Sequence, residues 1–251
     1  MTAISNTRTM TWRNLVEATR IPESFFFGVL QPAISLLLFV YVFGGSIQVP
    51  GVDYVEFLGP AMLLWTGLFV VPGTAISMAT DVQTGLIDRF RSLPLARSSV
   101  LAGRAVADTI ATTIKAVAVL GVGMAIGFRF ENGWLPALGS IGVAALFIFA
   151  MTWVASAIAL ATRTVEAAQA ATFVWIFPML FMSSGFVAVA TLPGWMQPIA
   201  RLNPMTSFVD ASRALSIGGP TTTAVSHAVA WGVGLSLAFG AWASRLYARG
   251  T

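Results

Sequence analysis

The sequence predicts an all-α integral membrane protein: six transmembrane helices, an N-terminal amphipathic elbow helix, and short outer re-entrant helices before the last span. Three observations predict it. Of 251 residues, 57% are hydrophobic and only 10% are charged, against about 25% charged in a soluble domain. Six apolar segments run near or beyond the ~20 residues that a helix needs to cross a bilayer. The basic residues gather between those segments, where membrane topology places them. The 23 glycines and 12 prolines suit the same class, because spans tolerate both better than soluble helices do.

Composition also excludes. The net charge of +4 is explained by topology, so no nucleic-acid partner is expected. The absence of cysteine removes disulfides, thiolate metal sites and a cysteine nucleophile. His227 is the only histidine, which leaves no multi-histidine metal site. The opening Met1–Glu23 has three arginines, two glutamates and no clean apolar core, so it is not expected to be a cleavable signal.

Taken in order, Thr9–Ile21 reads as an amphipathic helix in the headgroup region, with Trp12, Leu15, Val16 and Thr19 on one stripe. Arg13, Glu17 and Arg20 lie off it; the competing reading is a solvated tail. Span one covers about Ser24–Phe43, with a Gln31-Pro32 break. Span two covers about Phe57–Thr80, with Pro60 near its start and Pro72 inside. Span three, about Ala105–Phe128, contains Asp108 and Lys115. Span four is about Trp134–Thr162 and long enough to tilt. Span five is about Ala167–Val189 with Pro178 in the middle, and span six is about Ala224–Ser244. The chain reads as one transmembrane domain over 1–251. Residues 1–23 are the elbow, 24–80 spans one and two, 81–104 a charged loop and 105–189 spans three to five. Residues 190–220 form an outer segment, and 221–251 hold span six and the tail.

Placing both termini in the cytoplasm puts Arg8, Arg13, Arg20, Arg89, Arg91, Arg97, Arg104, Arg163, Arg245 and Arg249 there. Arg129, Arg201 and Arg213 then lie outside, as the positive-inside rule favours. The most charged segment is Asp81–Arg104. Its first part, Thr84, Gly85, Leu86, Ile87, Asp88, Arg89, Phe90 and Arg91, reads as a short amphipathic helix. Leu86, Ile87 and Phe90 share one side, and Leu93-Pro94 stops it. Such an element between two spans is built to touch something outside the bilayer. In the outer segment, Pro193, Pro198 and Pro204 divide the chain into pieces too short to span. Trp195 keeps it partly apolar, and Asp210 and Arg213 are spaced to pair.

No nucleotide site is visible. A phosphate-binding loop needs GxxxxGK followed by Ser or Thr, and the one lysine, Lys115, lies within span three. No paired carboxylates or Ser/His/Asp set suggests a membrane-embedded enzyme. His227 reads as a packed or interfacial residue. Lys115 near mid-membrane costs about 2.5–3.5 kcal/mol on insertion scales. It either faces a hydrated pathway or a carboxylate on another span, or snorkels. Asp108 lies about two turns away, too far for a direct pair. Phe177, Met179 and Met182, in an aromatic and methionine-rich span five, suit a pathway for a bulky apolar substrate; core packing and lipid contact explain the same residues and are the favoured reading. Gly123 and Gly127 form a GxxxG, and Gly232, Gly234 and Gly240 line span six, both read as close-approach faces.

The loop DVQTGLIDRFRSLPLARSSVLAGRAVAD resembles that between the second and third spans of ABC exporter permeases of the second type, in the daunorubicin- and multidrug-resistance-like branch. LPGWMQPIARLNPMTSFVDASRAL resembles the same family's segment before the last span, and together the likeness covers nearly the whole chain. The resemblance implies a permease dimer, of one chain or two, with two separate ATPase subunits docked on the cytoplasmic face. ATP and Mg would be bound there and no cofactor by this chain. Thr84–Arg91 would be the coupling helix. Pro193, Trp195, Asn203, Pro204, Asp210 and Arg213 would belong to the outer re-entrant helices. The implied function is ATP-driven export of a drug, lipid or glycolipid across a bacterial inner membrane; Asp81 stands where many relatives carry Glu. The alternative is an ion-coupled secondary transporter, which needs mid-membrane acids; only Asp108 comes close.

Overall fold

A computed structural model describes residues 3–47, 51–86, 97–162 and 164–249. Among the described residues are ten α-helices. They are α1 (Ala3–Thr19), α2 (Pro22–Leu38), α3 (Tyr54–Leu68), α4 (Val70–Gln83), α5 (Arg97–Ala125), α6 (Trp134–Ala161), α7 (Val165–Phe181), α8 (Met196–Leu202), α9 (Pro204–Ile217) and α10 (Thr221–Arg249). By length and apolarity, Pro22–Phe43, Tyr54–Gln83, Ser99–Ala125, Trp134–Ala161 and Thr221–Tyr247 can each cross a membrane, and α7 is a shorter apolar helix. The chain is a multi-pass membrane protein.

α3–α4 and α6 form the centre, largely covered by their neighbours, whereas α2 and α10 are mostly uncovered. Leu58, Met62, Leu64, Leu68, Phe147 and Ile148 are fully buried, and Phe147 meets Phe208 of α9 with ring centroids 4.9 Å apart. Glycine permits the central contact: a Cβ at Gly67 would stand 2.7 Å from Ile148 Cγ1. In span six, Gly232 and Gly240 face Leu146 and Trp153 of α6, while Gly234 faces open space. The GxxxG of span three is not a packing face, because Gly127 has left the helix at φ +122°.

Proline chemistry differs from expectation in two spans. α2 runs unbroken through Gln31-Pro32, and its geometry changes only at a π-helical turn, Phe39–Phe43. Pro32 still withholds the N–H that would close on the Gly28 carbonyl. Span two does break. Phe69, at φ −74° and ψ 0°, separates α3 from α4, three residues before Pro72 withholds the donor to Leu68. Span three begins earlier than expected, because Arg97–Arg104 is already helical.

Span five is shorter than expected, its helix ending at Phe181. The Asn203 side chain donates to the carbonyls of Met179 and Met182, both at 2.7 Å, satisfying acceptors that a helix end leaves open. The same Asn203 caps α9, its side-chain oxygen accepting from Met205 N at 2.9 Å, with Pro204 at the first helical position. In the outer segment Pro204 separates α8 from α9, but Pro198 lies within α8.

α1 starts earlier than expected and packs across the first turns of α5. It docks not through Trp12, which is exposed, but through the side holding Met10 and Thr11. The Thr11 hydroxyl donates to the Gly103 carbonyl at 3.2 Å. A Cβ at Gly103 would stand 2.6 Å from Met10 Cβ and 3.1 Å from Thr7 O. Gly103→Leu is therefore expected to lift α1 from α5 and cost about 1–3 kcal/mol. A lower unfolding midpoint and faster proteolysis within α1 would report this, and unchanged proteolysis would refute the seat.

Candidate functional site

The polar residues of the bundle collect at two places. The first is the end where α1, the C-terminal end of α4 and the N-terminal end of α5 meet. Asp81 and Arg104, the two limits of the charged segment, close on each other there: Arg104 Nη1 lies 2.7 Å from Asp81 Oδ2. Arg104 Nε also lies 3.7 Å from Asp108 Oδ2, one turn further along α5. The Thr74 hydroxyl of α4 donates to the same Asp108 oxygen at 2.6 Å. One arginine and two carboxylates thus tie α4 to α5 immediately beside the loop that joins them. The Arg104–Asp81 and Thr74–Asp108 hydrogen bonds contribute about 1.5–3 kcal/mol each, whereas Arg104 Nε approaches Asp108 as an ion pair without a hydrogen bond. Sequence reading gave Asp81 no partner; its place opposite Arg104 at the segment's limits was the available signal.

The predicted helix over Thr84–Arg91 differs at its start. Thr84 and Gly85 form a turn after α4, with Gly85 at φ +71°, a conformation that suits glycine and ends a helix. Leu86 follows as helix. Ile87, Asp88, Arg89, Phe90 and Arg91 lie outside the described residues, as does Arg163.

A cavity of about 380 Å³ opens beside the Arg104 cluster, walled by α1, α2, α4 and α5. Arg13, Glu17, Asp81, Arg104, Asp108 and Lys115 all line it. The Lys115 side chain lies along α2 where glycine leaves room. A Cβ at Gly28 would stand 3.0 Å from Lys115 Cδ and 3.3 Å from Nζ. Gly28 is six residues into α2, about 9 Å along its axis. The ammonium therefore sits nearer the α1 end than its own Cα, and the snorkelling and hydrated-pathway readings meet in one geometry. The four proposed pathway residues are not gathered together, because Phe177, Met179 and Met182 lie on or just after α7 and do not line this cavity. Phe177 instead belongs to a stack, Phe173–Phe177–Phe181–Phe186–Phe39, with centroid spacings of 6.0, 6.3, 5.4 and 4.6 Å. His227 is exposed at the start of α10. Among the described residues no group of three His, Asp or Glu is placed to hold a metal ion.

The second polar cluster is at the opposite end. The predicted Asp210–Arg213 pair forms at 3.2 Å, but Arg213 does more than pair. Its guanidinium lies 3.7 Å over the Phe57 ring and donates to the carbonyls of Phe57 and Ser184, at 3.2 and 2.9 Å from Nη2. Ser184 in turn donates to Asp210 at 2.6 Å. Burial pulls Arg213 down to about 10, with Asp210 opposing the shift, so it stays charged at neutral pH. Arg213 joins α9, the start of α3 and the chain after α7, while Trp195 and Pro193 remain at the surface of the outer segment.

The chain matches the ABC-2 type transporter family over residues 5–216. It is 32% identical over 246 residues to the daunorubicin resistance ABC transporter permease protein DrrB1 of Streptomyces coeruleorubidus, covering 98% of this chain and 87% of that protein. It is 30% identical over 161 residues to the probable doxorubicin resistance ABC transporter permease protein DrrC of Mycobacterium tuberculosis, covering 64% and 58%. Over 176 residues it is 27% identical to the probable multidrug ABC transporter permease YbhR of Escherichia coli, covering 66% and 45%.

Losing Arg213 leaves the Phe57 and Ser184 carbonyls without their donor, whereas Asp210 is 47% exposed and can be solvated. Arg213→Ala is expected to cost about 2–4 kcal/mol, through buried carbonyls that lose a donor and the lost ring contact, and Asp210→Asn, whose amide oxygen can still accept, under about 1 kcal/mol. Unfolding midpoints in detergent measure both, and equal losses would contradict the hub.

Proposed function

The chain belongs to the ABC-2 type transporter family, and from that premise we propose that it is the permease subunit of an ATP-driven exporter, moving a hydrophobic or amphipathic substrate outward across a bacterial inner membrane. Hydrolysis, with its ATP and Mg, belongs to separate ATPase subunits. A second permease subunit, the same chain or another, completes the transmembrane part, and both termini are cytoplasmic. The resistance functions in the names of the relatives favour a drug-like cargo.

The observation that carries the mechanical reading is the Asp81–Arg104 bridge. A permease powered by a partner must receive work at its surface and deliver it to its spans. The docking element lies between α4 and α5, and the bridge closes the two ends of that loop onto each other. A displacement of the loop then moves both helices as a unit, the kind of coupled rigid-element shift that switches transport proteins. Leu86, Ile87 and Phe90 would fill the groove of the ATPase, with Asp88, Arg89 and Arg91 setting register. Asp108 and Thr74 extend the tie one turn further along α5 and α4, and the docking of α1 on Gly103 makes it part of the moving body. The uncovered faces of α2 and α10 are available to lipid and to a second permease. The stacked rings along α7 offer flat apolar surface to a substrate, and Val174, Phe177 and Phe181 are exposed there.

Phe90→Asp should weaken docking by about 2 kcal/mol or more, roughly thirtyfold. ATP hydrolysis by the reconstituted complex should then lose its link to export while the spans stay folded. Normal export by that variant would refute the docking assignment. Asp81→Arg should depress export, and combining it with Arg104→Asp should restore part of it. A double variant no better than either single one would show that the bridge transmits nothing.

A further inference from the structure

We infer that the cavity between α1, α2, α4 and α5 binds the headgroup of an aminophospholipid from the surrounding leaflet, with Lys115 holding its phosphate. The inference is independent of what the permease moves.

The lysine makes no contact ion pair, although Asp108 lies near enough to act on it electrostatically. Among the described residues no carboxylate lies within ion-pair distance of it. Asp108, two turns before it, is engaged by Arg104 and Thr74. Space is nevertheless kept for the ammonium, because Gly28 presents no side chain where Nζ lies. Pro32 cannot supply the N–H that would close on the Gly28 carbonyl, so backbone polarity at that point is raised as well. A cation seated on purpose within an apolar span calls for an anion. The carboxylates that share its cavity leave it without a direct contact, and Asp108 is already held by Arg104 and Thr74.

The cavity's charge and shape say which anion. Arg13, Arg104 and Lys115 face it with Glu17, Asp81 and Asp108, three cations against three carboxylates. A wall of zero net charge draws in no simple anion, but it suits a zwitterion laid along it. Lys115 is at the deep end, about 9 Å into α2, and Glu17 is at the rim on α1. A phospholipid entering from the leaflet beside α1 has its phosphate on the acyl side and its ammonium on the aqueous side. That order puts phosphate at Lys115 and ammonium at Glu17. The volume, about 380 Å³, is within the usual range of small-ligand sites, about 300–1,000 Å³. The wall on the α2 side is Ile21, Ser24 and Gly28.

The test is native mass spectrometry of the full-length, delipidated chain. It is titrated separately with phosphatidylethanolamine, phosphatidylglycerol, glycerophosphoethanolamine and inorganic phosphate. Wild type should bind phosphatidylethanolamine most tightly, and glycerophosphoethanolamine and phosphate at least about tenfold more weakly. Lys115→Met should lose about tenfold or more, the scale of one charge-assisted hydrogen bond, and Lys115→Arg should retain most binding. Gly28→Leu, which keeps the charge but fills its seat, should lose binding too, and Glu17→Gln should erase the preference over phosphatidylglycerol. The unfolding midpoint of wild type should rise with phosphatidylethanolamine, a check that needs no variant. Equal binding by wild type and Lys115→Met overturns the site. Phosphatidylglycerol binding as tightly as phosphatidylethanolamine overturns the zwitterion, and the free headgroup binding as tightly as the lipid overturns the membrane source.

Discussion

Arg104 has to satisfy a guanidinium at the edge of an apolar bundle, and much of the surrounding architecture answers that demand. Its Asp81 partner is on the preceding helix and Asp108 is on its own, so one side chain fixes the lateral spacing of α4 and α5 and the azimuth of α5. Thr74 then holds Asp108 from the other side. With both helices set, Gly103 faces α1 and lets it approach to backbone distance. Tyr247 of α10, fully buried, lines a small gap at the same place with Met10, Met78 and Leu101. Four elements meet around a single cation, and charged groups in such a setting are costly unless they find partners.

The opposite end repeats the logic with Arg213. Helices α8 and α9 are too short to cross a bilayer, and the helix ends between such short pieces need hydrogen-bond partners. Asn203 supplies two of them to the end of α7. Arg213 supplies two more to the carbonyls of Phe57 and Ser184. Asn132 donates to the carbonyls of Ala214 and Leu215 where α9 ends. Asn203 and Asn132 thus compensate helix C-termini, while Arg213 ties the start of α3 to the chain after α7. Between the two ends, α3–α4 and α6 form a largely buried, mainly apolar and glycine-fitted core, and close-packed interiors of that kind transmit strain.

Legibility followed the range of the interaction. The spans came from runs of apolar residues and the Asp210–Arg213 pair from a spacing of three, both local signals. The meeting of Asp81 with Arg104 spans a loop, and the neighbourhood of Lys115 depends on Gly28, which lies far away in the chain. For the first, pattern reading offered only the places of the two residues at the limits of the charged segment; for the second it offered nothing. Proline misled in both directions. Pro32 was expected to break a helix and did not, while the break beside Pro72 falls at Phe69, because a missing donor weakens a helix whose final course the neighbours choose. The GxxxG at Gly123 failed for a related reason: the spacing was right, but the second glycine served a turn.

The sequence by itself determined that this chain lives in a membrane, that apolar helices cross it repeatedly, and which loop is charged enough to meet a partner. Those properties are sums over local composition, and solvent transfer energy alone decides them. Only the tertiary structure decided which charges neutralise one another, how far the fifth span's helix extends, and that the single lysine stands over a glycine in a cavity of balanced charge. Those outcomes depend on which helices become neighbours, and in a bundle that choice is made by side-chain packing between segments distant in the chain.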